Sequence, residues 1–437
     1  MTTSTTAHTR QRFDELLLLI LVAVLAVGGY LLTLLSEKTD LTASLMPRLG
    51  AVGLLFFAAH LAVRRYAPNA DPTLLPLAAL LDGVGFIFVA RLDEDLAAAQ
   101  TLWTGVAIAA FVIILVVVKE ARSLERYRYT FALLGIVTLL LPALPGLGRE
   151  VNGARLWVRF GPLNFQPAEI AKVVLVIFFA SYLVEKRELL SVATRRIGQV
   201  MLPDPRHLGP LLLAWGVSLV IMVQEKDLGS SLLFFAVFAV MLYLATGRGA
   251  YLGIAGLMFA TGAALAYQAF AHVATRVTTW LDPWPVASGP GYQLVQSLYA
   301  FGSGGFAGTG FGLGHPQKIP NAATDFVFAA IGEELGVLGA AAVLIVYLLF
   351  VGSGLRIAAR AERPFLKLLA AGLTTIVGVQ TFIILGGVTR VIPLTGITLP
   401  FISYGGSSLV ANFALLALLL RISDESRTDE TMLGTAR

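Results

Sequence analysis

Apolar residues in this chain run in long unbroken blocks. They show neither the alternation of a strand nor the three-to-four spacing of a half-buried helix. Twelve blocks approach the roughly 20 residues that an α-helix needs to cross a bilayer. They lie at 16–36, 48–63, 73–90, 102–118, 129–145, 166–184, 208–223, 228–246, 250–270, 327–351, 365–385 and 400–421. The pattern predicts an all-α polytopic membrane protein with about twelve transmembrane helices. It divides the chain into a polar N-terminal tail (1–15), one bundle (16–421) and a short polar C-terminal tail (422–437). The first block is too long for the apolar core of a signal peptide and lacks a convincing cleavage site, so it reads as the first span. No internal repeat and no domain outside the membrane is visible.

One connection breaks the rhythm. Residues 271–326, 56 in all, separate the ninth and tenth blocks, far beyond the usual loop length. The segment holds Trp280, Trp284, Tyr292, Tyr299, Phe301, Phe306 and Phe311. That content predicts half-buried helices at headgroup level rather than disorder. Seven glycines fall between 302 and 314, predicting a backbone able to approach a ligand closely. They form no GxxxxGK[ST] nucleotide loop.

Composition narrows the class. The chain is 57% hydrophobic and only 14% charged, whereas soluble domains carry about 25% charged residues. This excludes a soluble globular protein, a disordered chain and a nucleic-acid-binding domain. The net charge of +5 sets orientation here and does not imply nucleic acid. With the N-terminus inside, inner loops hold 21 Lys and Arg, outer loops hold 10, and Lys172 lies within a span. Both termini are therefore expected in the cytoplasm, with 271–326 outside. The absence of cysteine rules out disulfides, thiolate metal sites and a Cys nucleophile.

The informative residues are ionisable groups at membrane depth or in the long outer loop, where a charge must line a cavity or pair. Glu169 and Lys172 stand three apart at the outer start of the sixth block, on one helix face. The spacing fits a structural ion pair and equally a carboxylate and ammonium facing a phosphate-accepting cavity. Glu333 and Glu334 are adjacent, so they point about 100° apart and are expected to have different partners. Asp325 immediately precedes the tenth block; an N-cap and a general base at the bilayer surface are both open to it. Asp282 precedes Pro283 and reads as a turn residue. Asp227 is placed to cap the eighth block. Arg155 and Arg276 are cations on a face where basic residues are scarce, which suits phosphate. The five histidines show no metal-ligand spacing.

These features leave an enzyme and a transporter both open; longer motifs choose between them. Asn152-Gly-Ala-Arg-Leu-Trp157 followed by Gln166-Pro-Ala-Glu-Ile-Ala-Lys172 resembles the NGAxxW…QPxExxK signature of the SEDS family. Trp280-Leu-Asp-Pro-Trp284 with Gly291-Tyr-Gln-Leu-Val-Gln-Ser297 is similar to the same family. So are Thr324-Asp-Phe326, Gly332-Glu-Glu-Leu-Gly336 and Leu399-Pro-Phe-Ile-Ser-Tyr-Gly-Gly-Ser-Ser408. The likeness spans residues 152–420, with further matches at 64–72 and 225–229, and leans toward the elongation branch of the family in actinobacteria. Three departures stand out. The family core has ten helices, and the extra pair here precedes the first motif. The usual Gln-Pro-Asp-Leu-Gly is Gln224-Glu-Lys-Asp-Leu-Gly229. An asparagine common in the penultimate outer loop is absent from 385–390, which weakens any role carried over to Arg390.

The resemblance implies a peptidoglycan glycosyltransferase that polymerises lipid II on the outer face of the cytoplasmic membrane. The acceptor would be the GlcNAc 4-hydroxyl, the donor the anomeric carbon of MurNAc, and the leaving group undecaprenyl pyrophosphate. A β-1,4 product from an α-linked donor requires inversion. Asp325 matches the family's essential aspartate and is expected to be the base. Lys172, Arg155 or a divalent cation (Mg or Mn) is expected to stabilise the pyrophosphate, with Glu169 orienting Lys172. Trp157, Gln166, Asp227, Arg276, Gln293, Gln296, Ser297 and Ser403 are expected to contact substrate. A class B penicillin-binding protein is the expected partner, since the chain lacks the SxxK, SxN and KTG set of a transpeptidase. The alternatives are a lipid II flippase, a division-specific polymerase and a scaffold for the transpeptidase.

Overall fold

The computed structural model describes residues 2–35, 45–144, 147–151, 154–160, 163–191, 193–197, 200–203, 209–225 and 227–435, with fewer side chains. Among the described residues, ten helices are long and apolar enough to cross a membrane. They are α1 (Thr2–Leu34), α2 (Leu45–Tyr66), α3 (Leu74–Leu92), α4 (Glu94–Val117), α6 (Pro167–Glu185), α9 (Leu228–Thr246), α10 (Gly249–Ala269), α13 (Val327–Arg360), α14 (Pro364–Val388) and α15 (Gly406–Thr435). The two remaining apolar blocks are helical but shorter, as α5 (Arg128–Leu140) and α8 (Gly209–Glu225). Thirteen residues of α5 reach about 20 Å at 1.5 Å per residue, less than a hydrocarbon core of about 30 Å. Every predicted block thus contains a helix, and the chain is a multi-pass membrane protein.

The connections add structure that apolar patterning did not show. Three strands, β1 (Gly148–Val151), β2 (Ala154–Phe160) and β3 (Leu163–Phe165), pair antiparallel in that order, with Val158 opposite Phe165. After α7 (Arg187–Ser191), a second hairpin pairs β4 (Ala193–Ile197) with β5 (Val200–Pro203). The long connection carries α11 (Ala271–Leu281) and α12 (Tyr292–Gly304), the helices its aromatic content predicts.

The glycine stretch packs against a break in α13. Gly336, at φ +63° and ψ −164°, breaks α13. The break leaves backbone groups without helical partners, and these need replacements at depth. The stretch supplies them. Thr309 N donates to Glu333 O at 2.9 Å and Gly310 N to Glu334 O at 3.0 Å, while Val337 N donates to Gly305 O at 3.0 Å. A Cβ on Gly308 would stand 2.2 Å from the Glu334 carbonyl, so only glycine permits this approach. Here the backbone approaches another backbone. The carboxylates fasten the same joint. Glu334 accepts from Arg91 Nε at 2.7 Å and from Gly312 N at 3.0 Å. Glu333 accepts from His315 N at 2.9 Å. They have different partners, as their adjacency required.

The second irregular segment lies between α14 and α15. Apolar patterning predicted a helix from residue 400, yet α15 begins at Gly406. Residues 394–404 instead pass through the bundle as non-helical backbone. Tyr347 Oη, eleven residues beyond the break in α13, donates to Pro400 O at 2.5 Å, which places Pro400 about 16 Å along that helix. Such backbone is tolerated at membrane depth only where protein encloses it and its polar groups are paired. Both conditions hold: Leu399, Phe401 and Ile402 are buried, and side chains from several helices reach the segment's carbonyls. At the opposite end of the bundle, Glu15 bonds Arg12 at 2.5 Å and His60 Nδ1 at 2.7 Å, joining α1 to α2.

Candidate active site

The 394–404 segment is the hub on which the charged groups converge. Arg276 on α11 donates from Nη1 to Leu394 O at 3.1 Å and Thr395 O at 2.7 Å. Ser403 Oγ donates to Thr324 O at 2.5 Å and accepts from Leu399 N at 2.9 Å. Tyr404 N donates to Ala323 O at 2.8 Å. These three bonds fix the turn that carries Asp325. The cap position of α13 is Phe326, so Asp325 is not the N-cap.

Gly396 lies between Asp325 and Arg276. Its φ is +77°, and a Cβ there would stand 3.7 Å from Asp325 Oδ2 and 3.9 Å from both Arg276 Nη1 and Nη2. A carboxylate and a guanidinium thus face one gap of atomic size. Asp325 keeps partial solvent access. Burial nevertheless pushes its carboxyl up to about 6, helped by the Asp227 charge and opposed by a Thr324 hydrogen bond and Arg276. Burial lowers the Arg276 pKa from its usual value, while Asp227 and Asp325 resist. The group remains a cation.

Asp227 caps α9 as expected, accepting from Ser230 N at 2.9 Å and Ser230 Oγ at 2.6 Å. Burial raises its pKa; the Ser230 bonds and Arg276 pull it down, and Glu169 adds to the rise. Gly229 packs against Ile397 and Thr395 so closely that a Cβ would meet Ile397 Cγ2 at 2.3 Å. The start of α9 therefore also sits on the hub.

Glu169 and Lys172 form the deeper arm. Both are buried on α6, with Lys172 Nζ 2.5 Å from Glu169 Oε2. Lys172 Nζ also donates to Gln380 Oε1 on α14 at 2.8 Å, and Gln380 Nε2 donates to Thr398 O at 2.8 Å. Gln166 is the N-cap residue of α6, and its backbone N donates to Ser407 Oγ at 2.8 Å.

Other expected contacts fall elsewhere. Ser297 is fully buried and donates to Val388 O at 3.0 Å. It ties α12 to the end of α14. Ser403 is engaged by the Thr324 and Leu399 backbones. Gln293 and Gln296 lie half-buried on α12, and Trp157 half-buried on β2. Arg155 lies on β2, but its side chain, with Asn152 and Gly153, is outside the described residues. Gln380, Thr398 and Gly396 were missed by sequence reading. Gln380 is a polar residue inside an apolar span, a signal that a search limited to ionisable groups passes over.

Two apolar grooves flank the end of α14 nearest the hub. One, of about 520 Å³, runs between α8, α9, α10, α11 and α14, past Trp215, Phe235, Phe259 and Ile383; Arg276 is its charged lining residue. The other, of about 700 Å³, lies between α12, α13 and α14, past Phe301, Phe328 and Tyr347, and has no charged lining residue. Phe382 lines both. Among the described residues, no group of three or more His, Cys, Asp or Glu is arranged to hold a metal ion.

Fold and site together define a multi-pass membrane protein whose charged centre lies at one end of the bundle, between grooves suited to acyl or prenyl chains. Comparison with known proteins makes this specific. A family model described as cell cycle protein, covering FtsW, RodA and SpoVE, matches residues 77–428. The match contains ten of the twelve apolar helices and leaves out α1 and α2. The chain is 46% identical over 428 residues to the peptidoglycan glycosyltransferase RodA of Mycobacterium tuberculosis, covering 95% of this chain and 91% of that one. It is 33% identical over 343 residues to a probable peptidoglycan glycosyltransferase FtsW of Geobacter metallireducens, covering 78% and 85%. A structure described as showing coordination of polymerization and crosslinking by a peptidoglycan synthase complex superposes with a TM-score of 0.66 at 29% identity, covering 82% of this chain and 98% of that one. The crystal structure of the Thermus thermophilus rod shape determining protein RodA gives 0.55 at 28% identity, covering 81% and 96%. The chain belongs to the SEDS family of peptidoglycan glycosyltransferases.

Proposed function

We propose that this chain, a peptidoglycan glycosyltransferase by family, polymerises lipid II into β-1,4 glycan strands for cell elongation, with Asp325 as the general base. The GlcNAc 4-hydroxyl of one lipid II attacks the MurNAc anomeric carbon of the growing strand. The new C–O bond forms as the bond from that carbon to the pyrophosphate breaks. The hydroxyl proton passes to the Asp325 carboxylate, and undecaprenyl pyrophosphate leaves with the bonding electron pair. The observation that carries this reading is the gap at Gly396, where one atom's position touches both Asp325 Oδ2 and the Arg276 guanidinium.

A carboxylate with a pKa near 6 is a stronger base than an ordinary one and is still mostly ionised at neutral pH, as general-base catalysis favours. Arg276 is fixed by two carbonyls before substrate arrives, so its charge is preorganised for the leaving pyrophosphate. It lines the 520 Å³ groove, which is assigned to the donor's prenyl tail. The uncharged groove beyond Phe382 is assigned to the acceptor's tail. A divalent cation carried on the pyrophosphate would supply further charge neutralisation, and no step is routed through it.

The site faces outward, across the cytoplasmic membrane, and both termini are cytoplasmic. The loop bias of 21 against 10 Lys and Arg supports this. The partner is a class B penicillin-binding protein, supported by the missing transpeptidase motifs and by the likeness to a chain from a peptidoglycan synthase complex. The test is glycan formation from labelled lipid II by the protein with its cognate transpeptidase, with penicillin present to block crosslinking. Wild-type protein should give polymer and a folded Asp325→Asn variant none. Polymer from both would remove Asp325 as the base.

A further inference from the structure

Gln380 lies outside every motif that marks the family resemblance above, yet it joins the two arms of the site. It is fully buried on α14, eight residues before that helix ends, about 12 Å along its axis. Its Oε1 accepts from Lys172 Nζ at 2.8 Å, and its Nε2 donates to Thr398 O at 2.8 Å. Thr398 stands two residues from Gly396 and three from Thr395, whose carbonyl holds Arg276. On the other side Thr398 Oγ1 donates to Ser408 Oγ at 2.9 Å.

We propose that Gln380 is a positioning residue for glycosyl transfer: its carboxamide sets the 394–399 backbone against Lys172, and through that backbone sets Arg276 beside Asp325. This rests on the roles given above to Arg276 and Asp325. The chemistry of the contact is specific. A primary amide presents an acceptor and a donor from one carbon, matching an ammonium on one side and a carbonyl on the other. A carboxylate would turn an acceptor toward the Thr398 carbonyl, and a thioether would offer no N–H to it. Lys172 is itself anchored by Glu169 at 2.5 Å, so it is a fixed point from which Gln380 measures. The charged groups facing the gap are Arg276 from α11 and Asp325 from the turn before α13, and the charge of Asp227 at the start of α9 acts on both. Gln380 touches none of them directly; any effect on them must travel through the segment.

The test is a double-mutant cycle on the intact polymerase with its transpeptidase. Gln380→Met keeps the length of the side chain and removes both bonds. Lys172 retains Glu169, so the buried charge stays paired. Polymerisation kcat should fall about ten- to a hundredfold, as misplacement of remote groups does, with KM for lipid II nearly unchanged. The acid limb of the pH profile should move up, because Arg276 no longer holds the Asp325 carboxyl down. In an Arg276→Lys background, the same substitution should cost less than about threefold. Full losses multiplying independently, within about twofold, would overturn the proposal, as would a fall in kcat with an unmoved limb. Should the methionine variant not fold, Gln380→Glu carries the same cycle, since it keeps the acceptor for Lys172. A wild-type profile with no acid limb near pH 6 would instead refute the role of Asp325, while the cycle would still decide the role of Gln380.

Discussion

Burial pushes the Asp325 carboxyl up to about 6, and that value sets a limb in the activity profile. With a pKa near 6, about 97% of the molecules carry the base form at pH 7.5, and about a tenth at pH 5. Polymerisation should therefore fall about tenfold between those values; an ordinary carboxylate near 3.8 would lose less than about a tenth of its activity. Two substitutions should move the limb in opposite directions. Arg276 stabilises the charged form, so Arg276→Gln should move it up. Asp227 destabilises that form, so Asp227→Asn should move it down. Direct contact between opposite charges shifts a carboxylate by about 1–3 units; across the Gly396 gap each shift should be about 0.5–1 unit. The assay is the initial rate of glycan formation from labelled lipid II between pH 4.5 and 8.5, with penicillin present and folding followed by thermal melting. General acid damage to the bundle would move both variants the same way. A wild-type rate unchanged down to pH 5, or two shifts of one sign, would refute the argument.

Four further outcomes follow from the same geometry. Gly396→Ala places a methyl group in the gap and strains a residue at φ +77°; it should abolish most polymerisation while costing about 1–2 kcal/mol of stability, read by product gels and melting. Asp325→Asn should raise the melting temperature at pH 7.5. The carboxyl's elevated pKa means that folding stability falls as pH rises from about 4 through 6, and the amide escapes up to about 3 kcal/mol of that penalty. Lys172→Met leaves Glu169 buried without its cation and should cost about 3–5 kcal/mol, whereas Glu169→Gln with Lys172→Met should recover much of the loss, as denaturation of the three variants would show. Gly336→Ala, with the Gly308 amide 2.3 Å from the new carbon, should prevent accumulation of folded protein in the membrane, measured by fluorescence-detected chromatography.

What the sequence made legible follows from what each signal means physically. Long apolar blocks report the lipid around a segment, and all twelve contain a helix. They do not report the backbone path inside the bundle. Leu399-Pro-Phe-Ile402 is as apolar as a helix, but it is enclosed by protein, so its apolarity placed the start of the last span six residues too early. The kink at Gly336 follows Glu333 and Glu334; the two charges mark a place that needs polar partners without reporting a bend. The glycines at 302–314 were visible, but glycine signals close approach without naming what approaches. The outer helices α11 and α12 were legible because their aromatic residues belong at an interface. Asp325, Glu169 and Lys172 stood out because charge is rare at that depth; Gln380 did not, being neutral. Ser297 and Ser403 were legible as motif members, yet a motif marks a residue as needed without telling contact from support.

The hub explains why the site is built on irregular backbone. Inside a helix every carbonyl is engaged by an amide four residues on, so helices offer few acceptors to side chains. Leaving the helix at 394–404 releases Leu394 O and Thr395 O for Arg276, Thr398 O for Gln380 and Pro400 O for Tyr347. Each released carbonyl would destabilise the bundle if left unpaired at depth. The residues that satisfy them come from α11, α13 and α14, and Ser403 returns from the segment to Thr324. The same bonds that make the segment tolerable therefore fix the cation, the base and the lysine arm relative to one another. Stability and catalytic geometry are coupled at this point. Substitutions that relieve the site, such as Asp325→Asn, should stabilise the fold, and those that cut a hub bond should lower activity before they unfold the helices around it.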